Sequence, residues 1–266
     1  MEPLVNAYWT AKFGSSADEY EDAFAWSANS RHFAIADGAT ESSFADLWAR
    51  SLVREYSKQP PTLATLPDWL KPLQQEWHQT IKWDSLPWFA EEKARMGAFA
   101  TLLGLSFASP GSGARAKTGF WTRFRAKKDP QDRMAWRACA VGDSCLFQIR
   151  GGAMLTSFPL TRSEDFQSRP ILLSSNPAHN DGVWNSVRVM EGECRPGDLF
   201  LALTDALAKW FLAEIEAGRQ PWTVLLGIRS AEAFEEFVKE LRTEKTLRND
   251  DTTMLLVQWQ PQPVFG

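Results

Sequence analysis

His32-Phe33-Ala34-Ile35-Ala36-Asp37-Gly38 is an apolar run that stops on a carboxylate and a glycine. Its first five residues read as a strand, and the Asp-Gly pair reads as the turn that ends it. The pattern recurs. Asp143 follows Ala140-Val141-Gly142, Asp205 follows Leu201-Ala202-Leu203-Thr204, and Asp250 stands just before Met254-Leu255-Leu256-Val257. A fifth acidic site, Glu21-Asp22, precedes Ala23-Phe24-Ala25-Trp26. Each acid is placed where a hydrophobic strand leaves the core.

Further elements follow from the same periodicities. Apolar runs predict strands over residues 23–28, 32–36, 98–107, 135–149 (two strands broken near Gly142), 199–203 and 252–259. Residues 42–56 place Phe44, Leu47, Trp48, Leu52 and Tyr56 near one helical face, with Ser42 or Ser43 as the expected cap. Pro60, Pro61, Pro67 and Pro72 are read as breaks, with helical pieces after them over 69–83 and 88–96. Helical blocks over 205–218 and 231–241 complete the chain. Strands grouped between paired helices suit antiparallel sheets covered by helices better than a parallel sheet. The expectation is a layered α+β fold in one domain over residues 1–266.

A lone strand-terminal aspartate is ordinarily a turn or cap residue. Several held on rigid strand ends and facing one cleft would repel one another unless cations neutralise them. Hard oxygen ligands select magnesium or manganese over zinc, and the three histidines, His32, His78 and His179, show no paired spacing.

Composition narrows the alternatives. The chain is 44% hydrophobic and 23% charged, as in ordinary globular domains, and its net charge of −4 disfavours a generic nucleic-acid binder. The start Met1-Glu2-Pro3-Leu4-Val5-Asn6 has no basic and apolar signal pattern, and Asp205, Lys209 and Glu214 interrupt the most apolar stretch, so no membrane association is expected. Cys139, Cys145 and Cys194 have neither zinc-ligand nor redox-pair spacing, which points to a reducing compartment, the cytoplasm.

The motifs, taken in order, resemble those of the metal-dependent serine/threonine protein phosphatases of type 2C, in their bacterial branch. Glu21-Asp22-Ala23 resembles the early Glu-Asp element, and Asp37-Gly38-Ala39-Thr40-Glu41-Ser42 the Asp-Gly turn. Gly97-Ala98-Phe99-Ala100-Thr101 resembles the Gly-Ser-Thr-Ala strand start, and Val141-Gly142-Asp143-Ser144 the Gly-Asp-Ser turn. Leu203-Thr204-Asp205 and Asn249-Asp250-Asp251-Thr252-Thr253 resemble the last two motifs. The resemblance runs from about residue 20 to 259.

The resemblance implies a four-layer αββα sandwich, two antiparallel sheets flanked by helix pairs, with two Mn2+ or Mg2+ ions in a cleft at one end. It implies hydrolysis of phosphoserine and phosphothreonine on proteins by a water activated between the metals, in signalling with a cognate kinase. Asp37 would bridge both metals, Glu21 and the Gly38 carbonyl would complete one site, and Asp205 with Asp250 the other. Asp22 would orient water from behind, and Asp143 would help hold a third ion. Asp251 is the alternative to Asp250, but its spacing to the final strand favours Asp250.

Two departures qualify these expectations. Ala17 stands where the family has a phosphate-gripping arginine, so that role would pass elsewhere, to Lys12 or Arg31 if the fold brings either to the cleft. Ala39 stands where animal members have a histidine. A catalytically weak or inactive phosphatase-fold binding module is therefore the alternative. The basic and aromatic stretch 115–128 is read as a protruding hairpin and not a nucleic-acid platform. Trp184, in the loop-rich stretch 170–186, is read as packing.

Overall fold

A computed structural model of the protein describes residues 3–29, 31–108, 133–166 and 169–260. The stretch 115–128 lies outside the described residues. In chain order the elements are β1 (Pro3–Thr10), β2 (Ala23–Trp26), β3 (His32–Ala36), α1 (Ala45–Lys58), α2 (Leu66–Thr80), α3 (Trp88–Arg95), β4 (Phe99–Ala100), β5 (Leu102–Phe107), β6 (Met134–Val141), β7 (Cys145–Arg150), β8 (Ala153–Phe158), β9 (Leu173–Ser174), β10 (Arg188–Cys194), β11 (Leu199–Leu203), α4 (Asp205–Glu216), α5 (Pro221–Leu225), α6 (Ala231–Thr243) and β12 (Thr252–Trp259).

Two five-stranded antiparallel sheets carry the fold. One has the order β1-β12-β11-β7-β8 and the other β10-β6-β5-β3-β2. Their facing sides share a core of Phe33, Ile35, Leu103, Leu105, Phe107, Trp136, Phe200, Leu255, Val257 and Trp259. The outer face of the first sheet packs on α4, α5 and α6, and that of the second on α1 and α2. The order is αββα, as expected.

Burial on both faces explains why the inner strands read as continuous apolar runs. Along β11, Phe200 and Ala202 point to the other sheet while Leu199, Leu201 and Leu203 point to the helices. Along β3, Phe33 and Ile35 face the other sheet, whereas Ala34 and Ala36 leave room for Trp48, Leu52 and Tyr56 of α1. Besides the two-residue β9, the strands that periodicity missed, β1, β8 and β10, lie at the edges of the two large sheets. Their half-exposed faces carry residues such as Asn6, Thr156 and Glu191, so no apolar run forms.

Three local expectations are corrected. The single strand over 98–107 divides at Thr101, because β4 pairs with β9 while β5 joins β3 and β6. Neither Ser42 nor Ser43 caps α1. Phe44 does, in left-handed conformation at φ 59°, with its carbonyl accepting from Trp77 Nε1 at 3.2 Å. Ser42 Oγ is engaged otherwise, donating to the Ala39 carbonyl at 2.8 Å and accepting from the Phe99 amide at 3.1 Å. Pro72 does not end a helix but lies inside α2. The Asp68 carbonyl that loses its partner belongs to an exposed residue, open to solvation, and burial of Leu70, Leu73 and Trp77 offsets the remaining cost.

Gly104 in β5 shows how closely α1 sits on its sheet, since a Cβ there would fall 2.1 Å from the Tyr56 ring. Gly104→Ala is expected to destabilise the protein by about 1–3 kcal/mol through overpacking, measured by urea denaturation. An unchanged midpoint would mean that α1 shifts freely on the sheet.

Candidate metal centre

Antiparallel register brings the acidic positions together. Ala23 pairs with Ala36, so Asp22 and Asp37 leave the second sheet side by side. Leu102 pairs with Val141, which sets Thr101 beside the Gly142-Asp143 turn at the same end. In the first sheet Leu203 pairs with both Met254 and Cys145, so Asp205, the 250–251 segment and Asp143 gather there as well. All five acidic segments thus lie at one end of the sandwich.

A cleft of about 550 Å3 opens at this end, lined among others by Asp37, Gly38, Asp143, Asp205 and Asp250. Gly38 is pressed against the segment before β2, since a Cβ on it would come within 2.6 Å of the Glu21 carbonyl oxygen. Any other residue would push the two acidic turns apart. Thr101 aligns the neighbouring pieces: its Oγ1 accepts from the Asp37 amide at 2.8 Å and shares a 2.8 Å hydrogen bond with Ser144 Oγ.

Asp22 lies beneath the cleft, 1% exposed. Its Oδ2 accepts from Thr253 Oγ1 at 2.6 Å, and among the described residues Oδ1 has no hydrogen-bond partner. An unpartnered buried carboxylate oxygen is costly unless a water or ion satisfies it. Asp250 and Asp251 separate cleanly. Both oxygens of Asp251 are taken by backbone amides, from Lys12 at 2.8 Å and Glu21 at 2.7 Å, so this buried residue stitches β1, β2 and β12 together. Asp250 lines the cleft instead. Arg242 of α6 holds its backbone, donating to the Asp250 and Ala11 carbonyls.

The crowded charges perturb one another. Burial, and after it Asp22, Asp205, Asp250 and Asp143, holds the Asp37 carboxyl well above the usual range. Asp22 is likewise raised, first by burial. Burial raises Asp205 against the opposing pull of Arg248. Asp143 is pushed up to about 7, by burial and then by Asp205.

The protein supplies some counter-charge itself. Lys12 Nζ lies 3.4 Å from Glu21 Oε2 and 3.1 Å from Thr40 Oγ1, at the rim of the cleft. Arg248 pairs with both Asp205 and Asp250. Lys93 and Arg169 line the cleft too. Sequence reasoning singled out Lys12 but missed Arg248, Lys93 and Arg169, which carry no motif of their own. Arg31 is excluded from the cleft. It sits at the far end of β3, stacked 5.2 Å over Trp259, with the whole strand at ~3.3 Å per residue between it and Asp37. Trp184 packs against the α1 and α2 core, as read from the sequence.

Among the described residues no three Asp, Glu, His or Cys side chains close on one point as they stand. In donor chemistry the residues nonetheless suit a hard divalent cation. Carboxylate oxygens dominate the cleft, one buried oxygen lacks a partner among the described residues, and the repulsion is of the kind that such a cation relieves.

No family model matches the chain, and no curated protein does. Solved structures match over nearly its whole length. The serine/threonine phosphatase PstP/Ppp of Mycobacterium tuberculosis is 15% identical with a TM-score of 0.59, covering 98% of this chain and 100% of that one. The PstP catalytic domain in complex with two manganese ions is 16% identical, with a TM-score of 0.56 and coverage of 97% and 99%. The phosphatase MsPP of Mycobacterium smegmatis, in complex with cacodylate, is 13% identical with a TM-score of 0.52, covering 96% and 98%. The chain therefore has the fold of the type 2C serine/threonine phosphatases.

Two outcomes follow. Asp251→Ala should destabilise the metal-free protein by about 2–4 kcal/mol, because two amides lose a charged acceptor, while Asp250→Ala, which removes one amide acceptor and the partner of exposed Arg248 but also relieves repulsion, should cost distinctly less; urea denaturation of both tests the division of labour. Asp143 has a folded-state pKa above its unfolded value, so its favourable contribution is full at low pH and is lost as pH rises from 3.8 through about 7. In chelator, Asp143→Asn should therefore gain melting temperature relative to the unsubstituted protein across that window. A constant difference would contradict it.

Proposed function

We propose that the protein hydrolyses phosphoserine and phosphothreonine on other proteins with the help of two divalent cations, Mn2+ or Mg2+. The observation that supports this most directly is the meeting of five acidic segments, far apart in sequence, at one end of the sandwich, where Asp37, Asp143, Asp205 and Asp250 line one cleft. Asp37, Glu21 and Gly38 would hold one cation, and Asp37, Asp205 and Asp250 the other, with Asp143 available to a third. When bound, such cations generate a nucleophile from water at neutral pH and screen the charge of a phosphate.

The chain's own residues have separable tasks in this reading. Asp22, fixed by Thr253 and with one oxygen unpartnered among the described residues, would accept a proton or orient a water behind the acids. Lys12 takes over the phosphate-gripping role left open by Ala17, because its ammonium already stands at the rim between Glu21 and Thr40. Lys93 and Arg169 on the cleft wall would draw a phosphorylated segment in. The partner is accordingly a phosphoprotein, paired with a kinase in the cytoplasm.

A second reading is favoured by two observations. Ala17 removes one phosphate ligand, and Arg248 is seated on two of the candidate metal ligands. On these grounds the chain would be a weak or inactive phosphatase-fold module that binds phosphoproteins.

Purified protein should release phosphate from a phosphothreonine peptide in Mn2+ and stop in chelator. Asp37→Asn should lower kcat by at least about a hundredfold, and Lys12→Ala should act mainly on KM. Absence of turnover at every divalent-metal concentration would leave only the binding module.

A further inference from the structure

One nitrogen serves two of the candidate ligands. Arg248 Nη2 donates to Asp205 Oδ2 at 2.6 Å and also to Asp250 Oδ2. It holds these oxygens from a single point, as a cation bound to both would. The geometry differs from that of a structural arginine. Arg242, nearby on α6, spends its donors on the Ala11 and Asp250 carbonyls and on Thr252 Oγ1. Among the described residues, Arg248 donates only to the two acids.

The approach is from solvent. The Arg248 side chain is 58% exposed, against 11% for Asp205 and 28% for Asp250. The backbone on either side is anchored, by buried Leu247 before it and by the Arg242 bond to Asp250 after it. The side chain can therefore swing outward with no repacking of the core. The opposite half of the cleft has a looser cation, since Lys12 stands 3.4 Å from Glu21.

We infer that Arg248 is a resident counter-cation of the Asp205–Asp250 half of the cleft, and that it and a divalent metal ion compete for the same oxygens. A metal ion enters this half only as the guanidinium leaves. Arg248 thereby sets how readily the second ion binds, and it holds the acids together when no ion is present. The inference rests on the two-cation reading proposed above.

Mn2+ titration of the whole chain, by calorimetry and by the electron paramagnetic resonance signal of free Mn2+, tests it without any activity assay. Arg248→Ala should bind its weaker ion on the order of tenfold more tightly than the unsubstituted protein, or bind an ion that the latter does not. Adding Asp205→Asn should abolish that gain. In chelator Arg248→Ala should melt at a lower temperature, and saturating Mn2+ should close the gap. If Arg248→Ala does not fold, Arg248→Gln carries the same expectations.

Equal or weaker binding by the variant would overturn the inference while leaving the two-cation reading intact. A gain that survives Asp205→Asn would also overturn it. If only the variant takes a second ion, the inference stands and the unsubstituted protein is not a two-metal enzyme. If neither protein binds Mn2+, both readings fall.

Discussion

Mutual repulsion among carboxylates held at one end of a β-sandwich is the constraint around which this molecule is arranged. Hydrophobic burial forces the sheets to stack, and antiparallel register then leaves the acidic turns nowhere to go but beside one another. The protein meets the electrostatic cost in three ways. It keeps Asp37, Asp22 and Asp143 prone to protonation, it seats Lys12 and Arg248 on the others, and it leaves an oxygen of Asp22 open.

Holding such a cluster requires a frame that does not relax, and much of the polar chemistry in the interior serves this end. Asp251 grips two amides on separate segments, and Thr253 links Asp22 to Tyr20. Thr101 joins the Asp37 turn to the Asp143 turn through Ser144, and Gly38 lets the Glu21 segment come into contact. Each of these contacts fixes where a candidate ligand stands. A site built on strand ends and braced in this way keeps its geometry better than one carried on loops.

The fold is shared with serine/threonine phosphatases at identities of 13–16%, which is the level at which architecture persists while side chains drift. The positive charge around the cleft is particular to this sequence. Ala17 lacks the expected guanidinium, whereas Lys12, Lys93, Arg169 and Arg248 supply positive charge from other directions. The deployment of these four cations around the acids sets the net charge that the cleft presents.

The inner strands, the major helices and the acidic positions were legible in the sequence, because local periodicity and strand-end chemistry are properties of neighbouring residues. β3, β11 and β12 were read to the residue. The edge strands β1, β8 and β10 were not, since a half-solvated strand need not be apolar. Nor could the sequence decide that Ser42 would bond to Phe99 in place of capping α1, or that Asp251 would face backbone amides. The rim position of Lys12, the exclusion of Arg31 and the bridge from Arg248 to two acids belong to the tertiary structure alone. They depend on which distant segments register and stacking bring within a few ångströms, and no short-range pattern encodes that.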